Sequence, residues 1–258
     1  MALKIFDVHA HYQDSRYDND RNEIFKNMND AGVVGIIDSG DSVQSSESCI
    51  KWAQKYDFVY AAAGIHPHNV KDITEDDIVV LKELIRNPKV VAVGEIGLDY
   101  YYDDSAPPDV QKYWLLKQIE LAAEVGKPII FHDREAHEDS LEIIRDAASK
   151  GTTGIMHCFS GSAEMMREII KYGFSISVGG VVTFKNAKKI IEVVQEVPID
   201  RLFLETDCPY LAPEPFRGKR NDSSMILYIA QKVAEIKGMP VEELCDKIYD
   251  NCMRMFKI

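Results

Sequence analysis

Apolar residues recur along this chain in two alternating rhythms: short Val/Ile-rich runs suited to strands, and longer stretches with helical spacing. A first strand is expected over residues 4–9, with a helix near 21–31; residues 33–39 and 43–55 make the second such pair. A strand at 58–65 and a helix from about residue 75 form the third. Asn87-Pro88 ends that helix, because the residue before a proline is driven out of helical backbone. The fourth strand, 90–96, leads to a helix over 109–125 that Pro107-Pro108 opens and Gly126 stops, and a fifth strand follows at 128–132. Strands at 153–157, 174–178 and 201–205, with helices near 163–171, 186–195 and 223–237, bring the count to eight units, and 239–258 adds a terminal helix.

Spread over 258 residues, eight units average about 32 residues each, and their strands are apolar enough to be buried on both faces. The expected fold is therefore a closed parallel (β/α)8 TIM barrel rather than an open doubly wound sheet. No Gly-x-Gly-x-x-Gly follows the first strand, which argues against a dinucleotide site. No Gly/Ser tract, proline run or block of like charge breaks the alternation, so a single domain over 1–258 is expected.

Composition narrows the setting. Asp7 arrives early, and nowhere do about 18 uncharged apolar residues follow one another, so the chain reads as soluble and cytoplasmic, with no membrane partner. Five cysteines without a Cys-x-x-Cys pair suit reduced thiols better than a disulfide framework or a zinc ribbon. The net charge of -12 argues against a broad basic surface for duplex DNA. A polyanionic substrate would have to be held locally, by metal ions or by a small cationic patch.

The candidate chemistry begins with His9 and His11. On a strand, side chains two apart share a face, whereas on a helix the pair would stand about 200° apart. His9 and His11 are expected to end strand one, Glu95 strand four, His132 strand five, His157 strand six and Asp207 strand eight. All would lie at the C-terminal mouth of the barrel, the end where this fold carries its chemistry. One metal ion needs three or four protein ligands, so six candidates with two acidic members point to two divalent ions sharing a carboxylate, with Glu95 as the bridge. Four imidazoles favour zinc or manganese, with magnesium possible but less suited to nitrogen ligands.

These stretches carry a family resemblance over essentially the whole chain. Asp7-Val8-His9-Ala10-His11, Gly64-Ile65-His66-Pro67, Gly94-Glu95-Ile96-Gly97-Leu98-Asp99-Tyr100, Gly154-Ile155-Met156-His157-Cys158-Phe159-Ser160-Gly161 and Leu204-Glu205-Thr206-Asp207-Cys208-Pro209 resemble the TatD family of metal-dependent DNases within the amidohydrolase superfamily. The segment 182–187 and the Arg217-Gly218-Lys219-Arg220-Asn221 loop are similar too. Asp133 stands where Ser is usual, and Ser223 where a proline commonly follows that loop. The resemblance implies a hydrolase of phosphodiester bonds, typically a deoxyribonuclease acting from the 3′ end of DNA. It places His9, His11 and Asp207 on one ion and His132 and His157 on the other, with Glu95 between. Paired ions activate a water for in-line attack, and Asp207 is expected to orient it and take its proton.

His66 is expected to hydrogen-bond a phosphoryl oxygen. Arg134 could grip a phosphate, and Arg217, Lys219 and Arg220 form the local cationic patch that an acidic surface requires. Single-stranded DNA ends are thus the expected partner, with no obligate protein partner. Tyr100 to Tyr102 are read as packing beneath a loop rather than stacking on a base, His137 and His68 carry no role, and strand alternation should turn Cys158 and Cys208 away from the metals. Two other classes fit the same residues: an ester or amide hydrolase such as an aminoacyl-tRNA deacylase, and a non-catalytic module stabilised by metal.

Overall fold

A computed structural model of the chain describes residues 3–28 and 30–258. One eight-stranded parallel sheet runs in sequence order: β1 (Ile5–Ala10), β2 (Val33–Ser39), β3 (Val59–Ala63), β4 (Val90–Asp99), β5 (Ile129–Arg134), β6 (Gly154–Met156), β7 (Ser175–Val178) and β8 (Leu202–Leu204). Between them lie α1 (Arg21–Asn27), α2 (Val43–Lys55), α3 (Glu75–Ile85), α4 (Pro108–Val125), α5 (His137–Ser149), α6 (Ala163–Lys171) and α7 (Lys188–Glu196), with α8 (Ile226–Lys237) and α9 (Val241–Phe256) at the end. The architecture is the expected (β/α)8 TIM barrel.

Local chemistry sets the ends. Ser42 and Ser45 exchange capping hydrogen bonds at the start of α2. Pro108 begins α4, and Gly126 closes it at φ 66°, a left-handed conformation that only glycine adopts without steric cost. Several expected boundaries move. α1 ends at Asn27 rather than at 31, and Asn29 within that expected stretch lies outside the described residues. α8 is preceded by a short 3-10 turn over Ser223–Met225.

The largest difference concerns β4, which was expected to end at 96 and runs on to Asp99. The added residues pair with β5, Leu98 opposite Asp133 and Asp99 opposite Arg134, and Gln111, buried on α4, holds the end: its Oε1 accepts the Asp99 N–H at 2.9 Å and its Nε2 donates to the Asp99 carbonyl at 2.8 Å. A side-chain amide thus serves the backbone groups past the expected end. Glu95 therefore sits inside a strand rather than at its end. Alternation does not govern Cys158 either, because β6 stops at Met156 and Cys158 has φ 44°.

The chain packs as two compact units. In the first (residues 1–38, 158–167 and 176–258), Phe6, Val8, Ile176, Val178, Leu202 and Leu204 are buried with Ile229, Val233, Leu244 and Ile248 from α8 and α9. Asn251 of α9 donates to the carbonyls of Ile199 and Leu202 at 2.7 and 3.0 Å, which fixes that helix to the entry of β8. In the second (39–157 and 168–175), Ala61 to Ala63, Val90 to Val93 and Ile129 to Phe131 form the buried strand interior. Gln118 of α4 holds both backbone groups of Ile65, at 2.7 and 3.1 Å, just past β3. Gly97 faces His132 across the β4–β5 pair, and a Cβ there would stand 1.9 Å from the His132 carbonyl oxygen. That close approach needs glycine.

Candidate metal centre

The first unit brings His9, His11 and Asp207 together. Backbone hydrogen bonds set their places: Asp207 N–H donates to the His9 carbonyl at 3.0 Å, and His11 N–H donates to the Cys208 carbonyl at 2.8 Å. The Nε2 atoms of His9 and His11 lie 3.0 Å apart, and Asp207 Oδ1 is 3.8 and 3.5 Å from them. Ligands at about 2.05 Å from a tetrahedral zinc ion are separated by about 3.3 Å along each edge. Two imidazoles and a carboxylate at these separations fit a small divalent cation. Asp207 has φ 54°, a strained backbone for a non-glycine residue and one that clusters at functional positions. His11 Nδ1 lies 3.2 Å from Gln13 Nε2, a second contact that orients its ring.

Beneath this group lies Asp7, which the sequence reading left unassigned. It is fully buried, and burial raises its carboxyl to about 7 against the opposing hydrogen bonds. Those bonds come from the Thr206 N–H at 2.9 Å, the Thr206 hydroxyl at 2.5 Å, the Ser223 hydroxyl at 2.6 Å and the His9 N–H at 3.3 Å. Ser223, the residue in place of the usual proline, uses its N–H as well, donating to the Tyr12 hydroxyl at 2.8 Å.

In the second unit, Glu95 is the hub. Its Oε1 lies 2.8 Å from His132 Nδ1, 2.8 Å from His157 Nε2 and 3.5 Å from His66 Nε2. The two ring nitrogens of His132 and His157 are 3.2 Å apart, again a tetrahedral edge. The other nitrogen of His132, Nε2, meets Asp99 Oδ2 at 3.0 Å, and His68 Nε2 reaches the same oxygen at 3.0 Å. Burial opposes ionisation of Asp99, but the bonds from His132 and His68 prevail and hold its carboxyl well below the usual range. A carboxylate on the far nitrogen of a metal-binding histidine fixes ring orientation and tautomer. His132 is pulled down by burial and more than restored by Asp99 and Glu95. His66 is held neutral mainly by burial. Its Nδ1 accepts the His68 N–H at 3.2 Å, which leaves Nε2 as the protonated nitrogen. His66, Asp99 and His132 also form a third set of donors close enough for an ion.

Asp99 and His68 were thus missed as site residues, although a signal existed for Asp99. Asp99 follows Glu95 by four residues, the same even strand spacing that pairs His9 with His11, whereas His68 lies in the 3-10 turn Pro67–Asn69 that His66 caps, where strand alternation gives no signal. The expected cations fall in different places. Arg134 lies over the rings of Tyr101 and Tyr102, Arg217 over Phe184 at 4.2 Å, and Lys219 over Phe216 at 5.7 Å. Arg220 is paired with Asp20 and also donates to the Arg16 carbonyl at 2.6 Å. Asp133 accepts from His137 and Ser140 at the head of α5.

Residues 6–257 match the family described as TatD related DNase. The chain belongs to that family. Among TatD relatives it is 47% identical over 254 residues to the uncharacterized metal-dependent hydrolase YabD of Bacillus subtilis, covering 98% of this chain and 99% of that one. It is 30% identical over 260 residues to the 3′-5′ ssDNA/RNA exonuclease TatD of Erwinia tasmaniensis, covering 98% and 100%. The crystal structure of YJJV, a TatD homolog from Escherichia coli K12, superposes with a TM-score of 0.93 at 28% identity over the full length of both chains. The protein is a metal-dependent hydrolase of the TatD family. No helix among the described residues is long and apolar enough to cross a membrane.

Proposed function

We propose that this TatD-family hydrolase cleaves phosphodiester bonds in DNA from the 3′ end of single strands, using two divalent ions, with zinc or manganese preferred. The observation that carries this reading is the pair of ligand groups: His9, His11 and Asp207 in one, Glu95, His132 and His157 in the other, each with ligand separations suited to one ion. Glu95 would supply the carboxylate that the two ions share. When bound, the ions supply Lewis acidity and lower the pKa of a water.

The chain's own residues do the rest. Asp207 orients the attacking water and accepts the proton it releases as its oxygen bonds to phosphorus, while the leaving oxygen, departing on the opposite side as the old P–O bond breaks, takes its proton from solvent. His66, neutral and protonated on Nε2, donates to a phosphoryl oxygen whose charge grows in the transition state. Arg134, Arg217 and Lys219 are cations that can meet the backbone phosphates, whereas Arg220 is held by Asp20. The chain works in this reading as a single cytoplasmic domain.

Metal-loaded protein incubated with a single strand labelled at either end, with blunt duplex and with charged tRNA tests the reading. Stepwise loss of nucleotides from the 3′ end of the single strand is expected. Cleavage of the aminoacyl ester without nucleotide release would replace it with the deacylase. Elemental analysis under saturating zinc or manganese should find two ions per chain, and a value fixed at one removes the bridge.

A further inference from the structure

Beyond Asp99, β4 turns into a segment that carries Tyr100, Tyr101 and Tyr102, and the structure separates their roles. Tyr100 packs inward with its hydroxyl donating to Asp139 at 2.8 Å, whereas Tyr101 and Tyr102 are 55% and 42% exposed. Their rings meet edge to face at 4.9 Å. The Arg134 guanidinium lies 3.9 Å from the centroid of Tyr101 and 4.9 Å from that of Tyr102, and donates to the Tyr102 hydroxyl at 3.1 Å. Among the described residues Arg134 has no carboxylate partner. In a protein of net charge -12, this arginine is spread on aromatic faces with its charge available to an anionic ligand.

This cluster is tied to the candidate metal centre by direct contacts. Asp99 Oδ1 accepts the Tyr101 N–H at 3.0 Å while its Oδ2 meets His132. The Tyr100 N–H donates to the Arg134 carbonyl at 2.9 Å, and the His68 ring lies edge-on to Tyr102 at 4.8 Å. The carboxylate that orients a metal-binding histidine therefore also sets the start of the exposed tyrosine pair. Exposed aromatic faces beside a cation are what a single strand needs: a π-face for an unpaired base and a fork of donors for the adjoining phosphate.

We infer that Tyr101, Tyr102 and Arg134 form a nucleotide subsite, in which a base of single-stranded nucleic acid stacks on the tyrosines while Arg134 bonds the neighbouring phosphate. The inference rests on the phosphodiesterase reading and adds to it the residues that would hold an unpaired nucleotide. Stacking is indifferent to which base is present, so the subsite selects unpaired nucleotides without selecting sequence. Paired bases in a duplex have no free face to offer.

The test compares a phosphorothioate-linked single strand, which resists hydrolysis, with an abasic strand of equal length, by fluorescence anisotropy on the metal-loaded chain. Wild type should bind the base-bearing strand about ten-fold more tightly. Tyr101→Ala/Tyr102→Ala should remove that preference, with metal content and melting temperature kept, and Tyr101→Phe/Tyr102→Phe should retain it. Arg134→Ala should weaken both strands and make the log-log salt slope shallower by about 0.7, the loss of one phosphate contact. Equal wild-type affinity for the two strands overturns the subsite, and so does an alanine pair that keeps the preference. If wild type binds the strands and trims 3′ ends under either of those results, only the subsite falls. If it binds neither strand and releases no nucleotide, the phosphodiesterase reading falls with it.

Discussion

Replacing Asp99 by Asn is a sharp perturbation of this centre, because it changes one oxygen and one charge in a residue that we do not count among the ion's ligands. Asp99 Oδ2 receives two imidazole nitrogens, His132 Nε2 and His68 Nε2, both at 3.0 Å. An amide has one accepting oxygen: set where Oδ2 is, it turns the NH2 against the Tyr101 N–H that Oδ1 now accepts, and set the other way it turns the NH2 against both imidazole N–H groups, so Asn cannot serve all three donors and the charge is lost in either orientation. The ring of His132 then loses the charged partner that aims Nδ1 at Glu95, 2.8 Å away. Loss of such an outer carboxylate typically lowers metal affinity about 10- to 100-fold, or about 1.4 to 2.7 kcal/mol. Zinc titration in competition with a chromogenic chelator should show one binding step weakened by that factor and the other within two-fold of wild type. His68→Ala should do much less, since the bond from His132 to Asp99 remains. A folded Asp99→Asn protein with both steps unchanged would mean that His132 is held by its packing, and that the carboxylate is incidental.

Three more outcomes are expected. Asp207→Asn should keep the fold and lower turnover by about 10²- to 10⁴-fold, as loss of a general base does; more than a tenth of wild-type activity at wild-type melting temperature rules out that role. Gly97→Ala drives a Cβ to 1.9 Å from the His132 carbonyl oxygen, so a loss of more than about 3 kcal/mol is expected, seen as a melting temperature about 6–12 °C lower. Burial pushes the Cys208 thiol up to about 12, so its thiolate stays negligible between about pH 6 and 9, and native iodoacetamide labelling read by mass spectrometry should leave Cys208 unmodified across that range.

The barrel was legible because its signal is repeated: eight apolar runs at near-constant spacing tolerate an error at any one boundary. His9 and His11 were legible for a related reason, since even spacing on a strand puts both on one face. The limits of β4 were not, because what prolongs the strand is its pairing with β5 as far as Arg134, closed by the amide of Gln111 from the following helix, and neither contact is announced by the residues of the strand itself. Ending the strand early at 96 hid Asp99 and with it the role of His68. The fate of Arg220 was equally hidden, for nothing local in the Arg-Gly-Lys-Arg-Asn loop announces a pairing with Asp20, two hundred residues earlier. The tyrosine segment failed in another way: three adjacent rings look alike in sequence, and only the turn past Asp99 decides which one packs and which two face outward.

The burial of Asp7 bears on how the enzyme comes into being. Its hydrogen-bond partners Thr206 and Ser223 are 199 and 216 positions away along the chain. At about 5–20 residues per second, the ribosome needs roughly 10–45 s to travel from the first of these residues to the last. For most of that interval the nascent polypeptide carries His9 and His11 without Asp207 and without the residues that satisfy the carboxylate beneath them. The group that His9 begins can close only after Asp207 has been made, about two hundred residues later, so a long stretch of chain is synthesised before its own centre can form.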